Sequence, residues 1–328
     1  MGPGDAGPWA VGHVGTEPGC AYHRHRVGEA ALDASDTHGL ETVVDFVRLG
    51  ASRFAAAGLV FGHGYDNAVD ESLALVRHVL HFGPDSPAEF YGARLTRPEK
   101  EAIVSLFERR LNERIPAAYL TGTAWFAGLE FAVDRRVLIP RSPIAELIEA
   151  GFEPWVGPAG VRRILDLCTG SGCIGIACAF AFPEAQVDLA DVSAGALEVA
   201  QANIDRFGIG DRVAAVHSDL FAGLSGRTYD LIVSNPPYVD AREMAALAPE
   251  FGHEPRLGLE AGDDGLDIVR RIIAQAPSHI AEGGSLFVEV GASQPAMEAA
   301  FPGLPLTWIE FERGGGGVFH LAAGDLEA

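Results

Sequence analysis

Strand and helix signals alternate through the second half of this 328-residue chain. Short apolar runs of strand length lie at 164–167, 187–191, 213–216, 229–234 and 286–290. Such alternation is typical of parallel strands joined by crossover helices. The sequence therefore predicts an α/β fold with a doubly wound sheet. Two further runs, 308–311 and 318–321, flank four glycines and predict a closing antiparallel hairpin.

A Gly-rich turn follows the first predicted strand. Residues 170–175 have the spacing G-x-G-x-x-G and lead into a predicted helix. Turns of this kind let the backbone approach a ligand closely. Asp191, which closes the next strand, is suited to accept hydrogen bonds from both hydroxyls of a ribose. We therefore expect a ligand that contains adenosine, and on this motif alone a nicotinamide dinucleotide and S-adenosylmethionine both remain open.

The third strand end carries residues suited to an adenine ring. Asp219 can accept a hydrogen bond from the exocyclic amine, and Phe221 can stack on the ring. For Asp219 alone, a helix N-cap is an equally good interpretation. Suitable groups at three successive strand ends favour one shared ligand site, because ligands bind beyond the carboxyl ends of such strands.

The fourth strand ends in Asn235-Pro236-Pro237-Tyr238. Each proline fixes φ at about −65° and lacks an N–H, so this segment is a rigid loop with few donors. It offers two acceptors, the side-chain oxygen of Asn235 and the carbonyl of Pro236, which suit a planar –NH2 group. A plain proline-rich turn is the alternative for the motif by itself. A nicotinamide enzyme has no evident use for such a loop, so S-adenosylmethionine is the favoured cofactor.

Taken together, the two motifs resemble the methyltransferases that modify adenine amines or glutamine amides. Residues 121–131 and 138–141 are similar to the glutamine branch, the HemK/PrmC/PrmB family of protein-glutamine methyltransferases. Within that family, this chain most resembles the members that methylate a glutamine of large-subunit ribosomal protein L3. Four stretches carry that similarity, at 61–64, 140–147, 253–255 and 262–267. The resemblance covers residues 39–321 and implies methylation of a glutamine side-chain amide nitrogen.

The resemblance also implies the residues of the site. Catalytic roles fall to Asn235, Pro236 and Tyr238. The cofactor site would contain Asp166, Cys168, Thr169, Gly170, Ser171, Gly172, Asp191, Asp219, Leu220, Phe221 and Asn235. The glutamine site would contain Asn235, Pro236, Pro237 and Tyr238, with Phe126 and Arg141 as neighbours. No metal is expected.

Changes in pattern along the chain predict four regions. Residues 1–38 lack periodicity and are predicted to be a disordered extension. Residues 39–115 show helical spacing and predict a small helical domain that docks the substrate. Residues 116–160 are predicted to form a connecting hairpin, from alternation over 129–139, followed by a linker. Residues 161–328 are predicted to form the methyltransferase domain.

The balance of charges narrows the choice of partner. The chain has 24 basic and 45 acidic residues, for a net charge of −21. Such a chain is a poor partner for a phosphate backbone and suits a basic protein. This argues against an adenine-amino methyltransferase of DNA or RNA. A release-factor glutamine methyltransferase stays open as the alternative, and a non-catalytic binding module is disfavoured by the intact motifs. We expect a cytoplasmic protein, since no signal peptide or membrane span is visible.

Overall fold

The computed structural model describes Leu32 and residues 34–157 and 160–326. These residues form two compact units. The larger unit contains Ala124–Leu247 and the described residues from Glu254 onward. The smaller unit contains the described residues up to Thr123, together with Ala248–His253. The extension predicted over 1–38 lies for the most part outside the described residues.

The smaller unit is helical, as the spacing of apolar residues predicts. Its helices are α1 (Ala34–Thr37), α2 (Val43–Ala56), α3 (Ala68–Leu80), α4 (Arg97–Glu113) and α5 (Ala117–Thr121). Helix α4 begins with a capping box, the T-x-x-E pattern of Thr96 and Glu99, in which Glu99 accepts a hydrogen bond from the Thr96 N–H at 2.7 Å. The first long helix does not begin at residues 35–37, as their N-cap chemistry suggests. It begins after Thr42, whose hydroxyl forms a capping box with Asp45.

Helix α2 packs closely against α3 and α4. The rings of Phe54 and Phe107 meet edge to face at 5.2 Å. Gly50 permits this approach, because a Cβ atom there would lie 2.6 Å from the ring of Phe107 and would also clash with Ser72. The core of the helical unit therefore depends on one position without a side chain.

The segment Ala248–His253 belongs to the helical unit although it is distant in sequence. Its buried Glu250 accepts a hydrogen bond from the Val60 N–H at 3.0 Å. The same carboxylate lies 3.4 Å from Nη1 of Arg110 and 3.0 Å from Nη2 of Arg114. All three contacts are made by Oε1 of Glu250, and together they join the segment to the helices of this unit.

The larger unit begins with a two-stranded hairpin of β1 (Thr123–Phe126) and β2 (Leu129–Ala132). The prediction of a hairpin running on from residue 129 to 139 is therefore wrong. The turn lies before Leu129, because Ala127 and Gly128 adopt φ values of 46° and 75°. Positive φ at both central residues is the geometry that two-residue hairpins require.

Seven strands among the described residues form the main sheet, in the order β5-β4-β3-β6-β7-β9-β8. They are β3 (Arg163–Leu167), β4 (Gln186–Asp191), β5 (Val213–His217), β6 (Tyr229–Ser234), β7 (Ile280–Glu289), β8 (Thr307–Trp308) and β9 (Val318–Ala322). The five strands from β5 to β7 are parallel, and β9 and β8 close the sheet in antiparallel pairing. This confirms the predicted doubly wound sheet with its closing hairpin.

Helices cover both faces of this sheet. The helices of the larger unit are α6 (Ile144–Glu149), α7 (Cys173–Ala181), α8 (Ala194–Phe207), α9 (Ala241–Ala246), α10 (Asp267–Gln275) and α11 (Gln294–Ala300), of which all but α9 have buried residues. Side chains of a strand alternate between faces. Ile164 accordingly packs in one apolar cluster with Ile174 of α7, and Leu165 in another with Ile272 of α10. No helix in the described part of the chain is both long and apolar enough to cross a membrane.

Candidate active site

The parallel register brings several strand ends to one edge of the sheet. Leu167 at the end of β3 pairs with Ser234 at the end of β6, and Ser234 pairs with Val288 of β7. On the other side, Asp191 at the end of β4 pairs with His217. The Gly-rich turn, the Asn-Pro-Pro-Tyr loop and the end of β7 therefore begin next to one another, at the edge where ligands of such sheets bind.

The Gly-rich turn has the backbone that its composition predicts. Cys168, Gly170 and Gly172 have φ values of 59°, 55° and 81°, in the left-handed region. A Cβ atom at Gly175 would stand 2.8 Å from Cβ of Asp166, so only glycine lets α7 pack this closely on β3. At Gly170, by contrast, a Cβ atom would meet nothing within 4 Å. The turn is thus packed on its inner side and has open space beside Gly170.

Asp166 fastens this turn from inside the core. Its Oδ2 accepts hydrogen bonds from the Thr169 hydroxyl at 2.5 Å and from the Gly175 N–H at 2.8 Å. Burial raises the pKa of the Asp166 carboxyl to about 7. Thr169 and Ser171 are themselves buried. The place of Asp166 in the cofactor site stays a prediction.

Asp191 lies at the edge of the sheet, as expected for a ribose ligand. Its Oδ2 accepts from the Gly170 N–H at 2.9 Å and its Oδ1 from the Ser193 N–H at 2.8 Å. Burial raises the pKa of this carboxyl above its ordinary value. Each carboxylate oxygen has a second lone pair, so Asp191 can hold the turn and still accept from a ligand.

The residues that follow β5 were predicted to contact an adenine ring, and in this structure they have protein partners. Asp219 is exposed and forms an ion pair with Nη2 of Arg271 at 2.8 Å. Leu220 is buried with a φ of 51°. The ring of Phe221 is only 2% exposed and stacks on His279 with centroids 4.7 Å apart. The ring of Phe221 therefore belongs to the core in this structure, and contacts of Asp219 and Phe221 with adenine stay predictions.

The Asn-Pro-Pro-Tyr loop is tied to the sheet at both ends. Ser234, just before it, donates a hydrogen bond to the Leu167 carbonyl at 2.9 Å. At the other end the Tyr238 carbonyl accepts from the Ser293 hydroxyl at 2.9 Å. The Tyr238 ring lies directly on Gly291, where a Cβ atom would stand 2.6 Å from it. Within the loop Pro236 is buried, while Asn235, Pro237 and Tyr238 are half-buried.

Glu289 is the residue of this site that sequence reasoning missed. It ends β7, is 4% exposed, and accepts from the Tyr238 hydroxyl at 2.9 Å and the Ser142 hydroxyl at 2.6 Å. Burial raises the pKa of the Glu289 carboxyl to about 7, and the neighbouring carboxylate raises that of Tyr238 well above its ordinary value. The available signal was an acidic residue inside an otherwise apolar run, residues 286–290.

Comparison with known proteins identifies the family. Residues 158–262 match the model of the methyltransferase small domain. A relative from Xanthomonas campestris pv. campestris, named ribosomal protein uL3 glutamine methyltransferase, is 52% identical over 297 residues, covering 90% of this chain and 96% of the relative. A relative of the same name from Xylella fastidiosa is 53% identical over 289 residues, covering 88% and 92%. The chain belongs to the uL3 glutamine methyltransferase family.

Solved structures of more distant proteins also match part of this methyltransferase. A methyltransferase from Pyrococcus furiosus is 18% identical, with a TM-score of 0.42, and the match covers 60% of this chain and 89% of that one. The fold, the enzyme class and the family expected from the resemblance are confirmed. The roles of individual site residues stay predictions.

Two further residues were expected near the glutamine in this methyltransferase. Arg141 holds Glu254 in a forked ion pair, with Nη1–Oε1 and Nη2–Oε2 distances of 2.8 and 3.0 Å. Its positive charge opposes the rise in the pKa of Glu289 that burial causes, so the two side chains share one electrostatic environment. Phe126, by contrast, is buried in the apolar core together with Phe131. The structure thus brings Arg141 together with the Asn-Pro-Pro-Tyr loop, and places Phe126 in the core.

Proposed function

We propose that this methyltransferase transfers a methyl group from S-adenosylmethionine to the side-chain amide nitrogen of a glutamine in ribosomal protein uL3, in the cytoplasm. One observation carries the proposal. The Asn-Pro-Pro-Tyr loop begins beside the Gly-rich turn, through the pairing of Leu167 with Ser234, and its Tyr238 hydroxyl donates to the buried carboxylate of Glu289 at 2.9 Å. The names of the close relatives supply the protein substrate.

The residues around the Gly-rich turn fit this cofactor. Asp191 retains acceptor capacity next to Gly170, where a side chain would project into open space. A carboxylate at this position suits the two hydroxyls of a ribose, and the backbone of residues 168–172 lies alongside. When bound, S-adenosylmethionine supplies an electrophilic methyl group attached to a cationic sulfur.

The Asn-Pro-Pro-Tyr loop is proposed to activate the amide nitrogen of the glutamine. The nitrogen of an amide is a weak nucleophile because its lone pair is delocalised into the carbonyl. Asn235 Oδ1 and the Pro236 carbonyl accept the two N–H hydrogens of the glutamine and stabilise the positive charge that develops on its nitrogen. The same two bonds aim that nitrogen, which is the proximity contribution. Tyr238, held by Glu289 and Gly291, packs against the amide plane, and the surplus proton passes to water.

Selection of the protein substrate requires a surface beyond this small pocket, since glutamines occur in most proteins. The helical unit is proposed to dock uL3, and the net charge of −21 supports a basic partner. Binding of this kind depends on ionic strength, which offers a direct test at the level of the whole molecule.

The function is tested first by substitution in the loop. Asn235→Ala is expected to keep the fold and to lower the rate of methyl transfer by on the order of 100-fold, the usual cost of losing one preorganised group that stabilises developing charge. The measurement is incorporation of labelled methyl into purified uL3, with the modified residue located by mass spectrometry. Gln201→Ala, which removes an exposed amide on α8, serves as the matched control.

Two outcomes count against the proposal. Near-normal turnover of Asn235→Ala on uL3 would show that the loop does not activate the amide. Label found on a release factor, and not on uL3, would favour the release-factor alternative.

A further inference from the structure

We infer that Gly317, in the run of four glycines between β8 and β9, is a positioning residue for the glutamine site, acting through the backbone of Gly291 on the ring of Tyr238. The inference rests on the proposed function, in which that ring packs against the amide plane of the glutamine. In the sequence this run predicts only the turn of a hairpin.

The ring of Tyr238 lies on a stretch of backbone that has no side chain. A Cβ atom at Gly291 would stand 2.6 Å from Cε2 of the ring and 2.9 Å from Cζ. Gly291 has a φ of 47° and begins a short 3-10 turn, Gly291–Ser293, just after β7. The two ends of Tyr238 are held elsewhere, since its hydroxyl donates to Glu289 and its carbonyl accepts from Ser293, each at 2.9 Å. The backbone of Gly291 is therefore the surface that supports the ring itself.

Gly317 packs against this same glycine. A Cβ atom at Gly317 would stand 2.7 Å from both Cα and N of Gly291. The carbonyl of Gly317 accepts hydrogen bonds from the Val290 N–H at 2.7 Å and the Gly291 N–H at 3.2 Å. Its φ of 70° lies in the left-handed region, where a side chain is strained. Only glycine at 317 lets the chain lie this close to the support of the Tyr238 ring.

The strand that follows Gly317 determines which side of this contact yields. Strand β9 pairs with β7 through five residue pairs, from Ser285–Ala322 to Glu289–Val318, and Val318 and Phe319 are buried in the core. Close-packed interiors resist displacement. Gly291, in contrast, lies in a single turn outside the strands. We therefore expect a methyl group at 317 to displace the turn at Gly291, and with it the surface that carries the ring.

The glycine run itself supplies a matched control. Gly316 is exposed, and a Cβ atom there would meet nothing within 4 Å. Gly316 does not have a positive φ, so alanine fits its backbone without strain. The same exchange at two neighbouring positions is thus expected to have opposite results.

The main experiment compares Gly317→Ala and Gly316→Ala with wild type, as full-length proteins acting on purified uL3. We expect kcat/KM of Gly317→Ala to fall by on the order of tenfold to hundredfold, as for misplacement of a group that orients the substrate. The affinity for S-adenosylmethionine, measured by calorimetry, is expected to change little, because the exchange leaves Asp191 and the Gly-rich turn untouched. Gly316→Ala should match wild type in both measurements. Loss of cofactor affinity together with activity in Gly317→Ala would show a general structural role and overturn the inference.

A double-mutant cycle tests whether Gly317 acts through the ring. Tyr238→Ala removes the ring and lowers activity by itself. If Gly317 acts through Tyr238, adding Gly317→Ala to Tyr238→Ala lowers kcat/KM little further, because two residues of one contact chain are not additive. An equal reduction in both backgrounds would overturn the inference.

A second variant acts on the same contact from the other side. Gly291→Ala places a methyl group directly against the ring of Tyr238. It is expected to reproduce the loss of kcat/KM with cofactor affinity retained. Wild-type activity of Gly291→Ala would show that the ring needs no such support, and would also overturn the inference.

A measurement without substrate keeps this inference separate from the proposed function. The chain has six tyrosines, whose labelled rings can be followed by NMR, and the signals of Tyr238 are assigned by their loss in Tyr238→Ala. They are expected to shift in Gly317→Ala and to stay in place in Gly316→Ala. Unshifted signals in Gly317→Ala would overturn the positioning role. If uL3 accepts no methyl group from wild type, the proposed function fails, and these signals still decide whether Gly317 positions Tyr238.

Discussion

Asp166 lies one residue before the end of β3 and Asp191 ends the neighbouring β4, yet their surroundings differ. Asp166 is enclosed by the core and spends Oδ2 on Thr169 and Gly175. Asp191 divides its bonds between two backbone amides at the edge of the sheet and keeps lone pairs for a ligand. The Asp166 carboxylate therefore stabilises the turn, and ligand binding by Asp191 stays a prediction.

Asp191→Ala is expected to weaken binding of S-adenosylmethionine by roughly tenfold to a hundredfold. Hydrogen bonds to a charged group contribute about 1.5–3 kcal/mol, which corresponds to that range of affinity. Calorimetric titration of the full-length protein provides the measurement, and Asp211→Ala, an exposed aspartate after α8, is the control. An unchanged affinity would refute the ribose assignment, and tight binding of NADH by wild type would revive the dinucleotide interpretation.

The sequence identifies some residues of the candidate site and not others, for a physical reason. Asp191 and Asn235 are visible because each directly follows an apolar strand within a recognisable spacing. Glu289 is hidden, because its meaning depends on the pairing of β6 with β7, which no local pattern reveals. An aromatic residue after a strand, such as Phe221, can face a ligand or the core, and only the packing against His279 shows the latter.

At the scale of the elements, the sequence predicts features that depend only on neighbouring residues, such as helix caps. The capping box of α4 follows from Thr96 and Glu99 alone, and the structure contains it. The position of the first hairpin was missed, because alternation over 129–139 does not reveal the partner strand. That choice depends on the turn at Ala127 and Gly128. The order of the strands likewise depends on the crossover helices and their packing. The alternation of strands and helices predicts only the fold class.

Gly50→Ala is expected to destabilise the helical unit. The new methyl group would overlap the Phe107 ring and Ser72. Overpacking of this kind costs about 1–3 kcal/mol, and the gain in helix propensity offsets at most about 1 kcal/mol. Denaturant unfolding followed by a probe in the helical unit gives the measurement. Ser52→Ala, exposed on the same helix, should be neutral or slightly stabilising. Equal stability of the two variants would show that α2 has room to move.

At the scale of the whole molecule, charge is the dominant property. A chain with a net charge of −21 attracts a basic protein over a distance that salt shortens. This long-range attraction accelerates encounter with a large partner, while a short peptide gains less because it carries less charge.

Raising the salt concentration from low to physiological is therefore expected to slow association with intact uL3 more than with a short glutamine peptide. Exposed charges are screened over about 8 Å at physiological ionic strength, so steering weakens while the pocket itself is unchanged. Stopped-flow measurement of association at several salt concentrations gives the two slopes. Parallel slopes for protein and peptide would contradict electrostatic docking.

The path of Ala248–His253 has a consequence for how such enzymes can be rebuilt. A chimera made by joining a foreign N-terminal region at residue 123 would inherit Glu250 without Arg110 and Arg114, and would bury a lone anion. The helical part is thus not an exchangeable module with a single junction. Successful grafting, in the laboratory or through recombination of genes, needs two crossovers that carry the short return segment along with the helices that surround it.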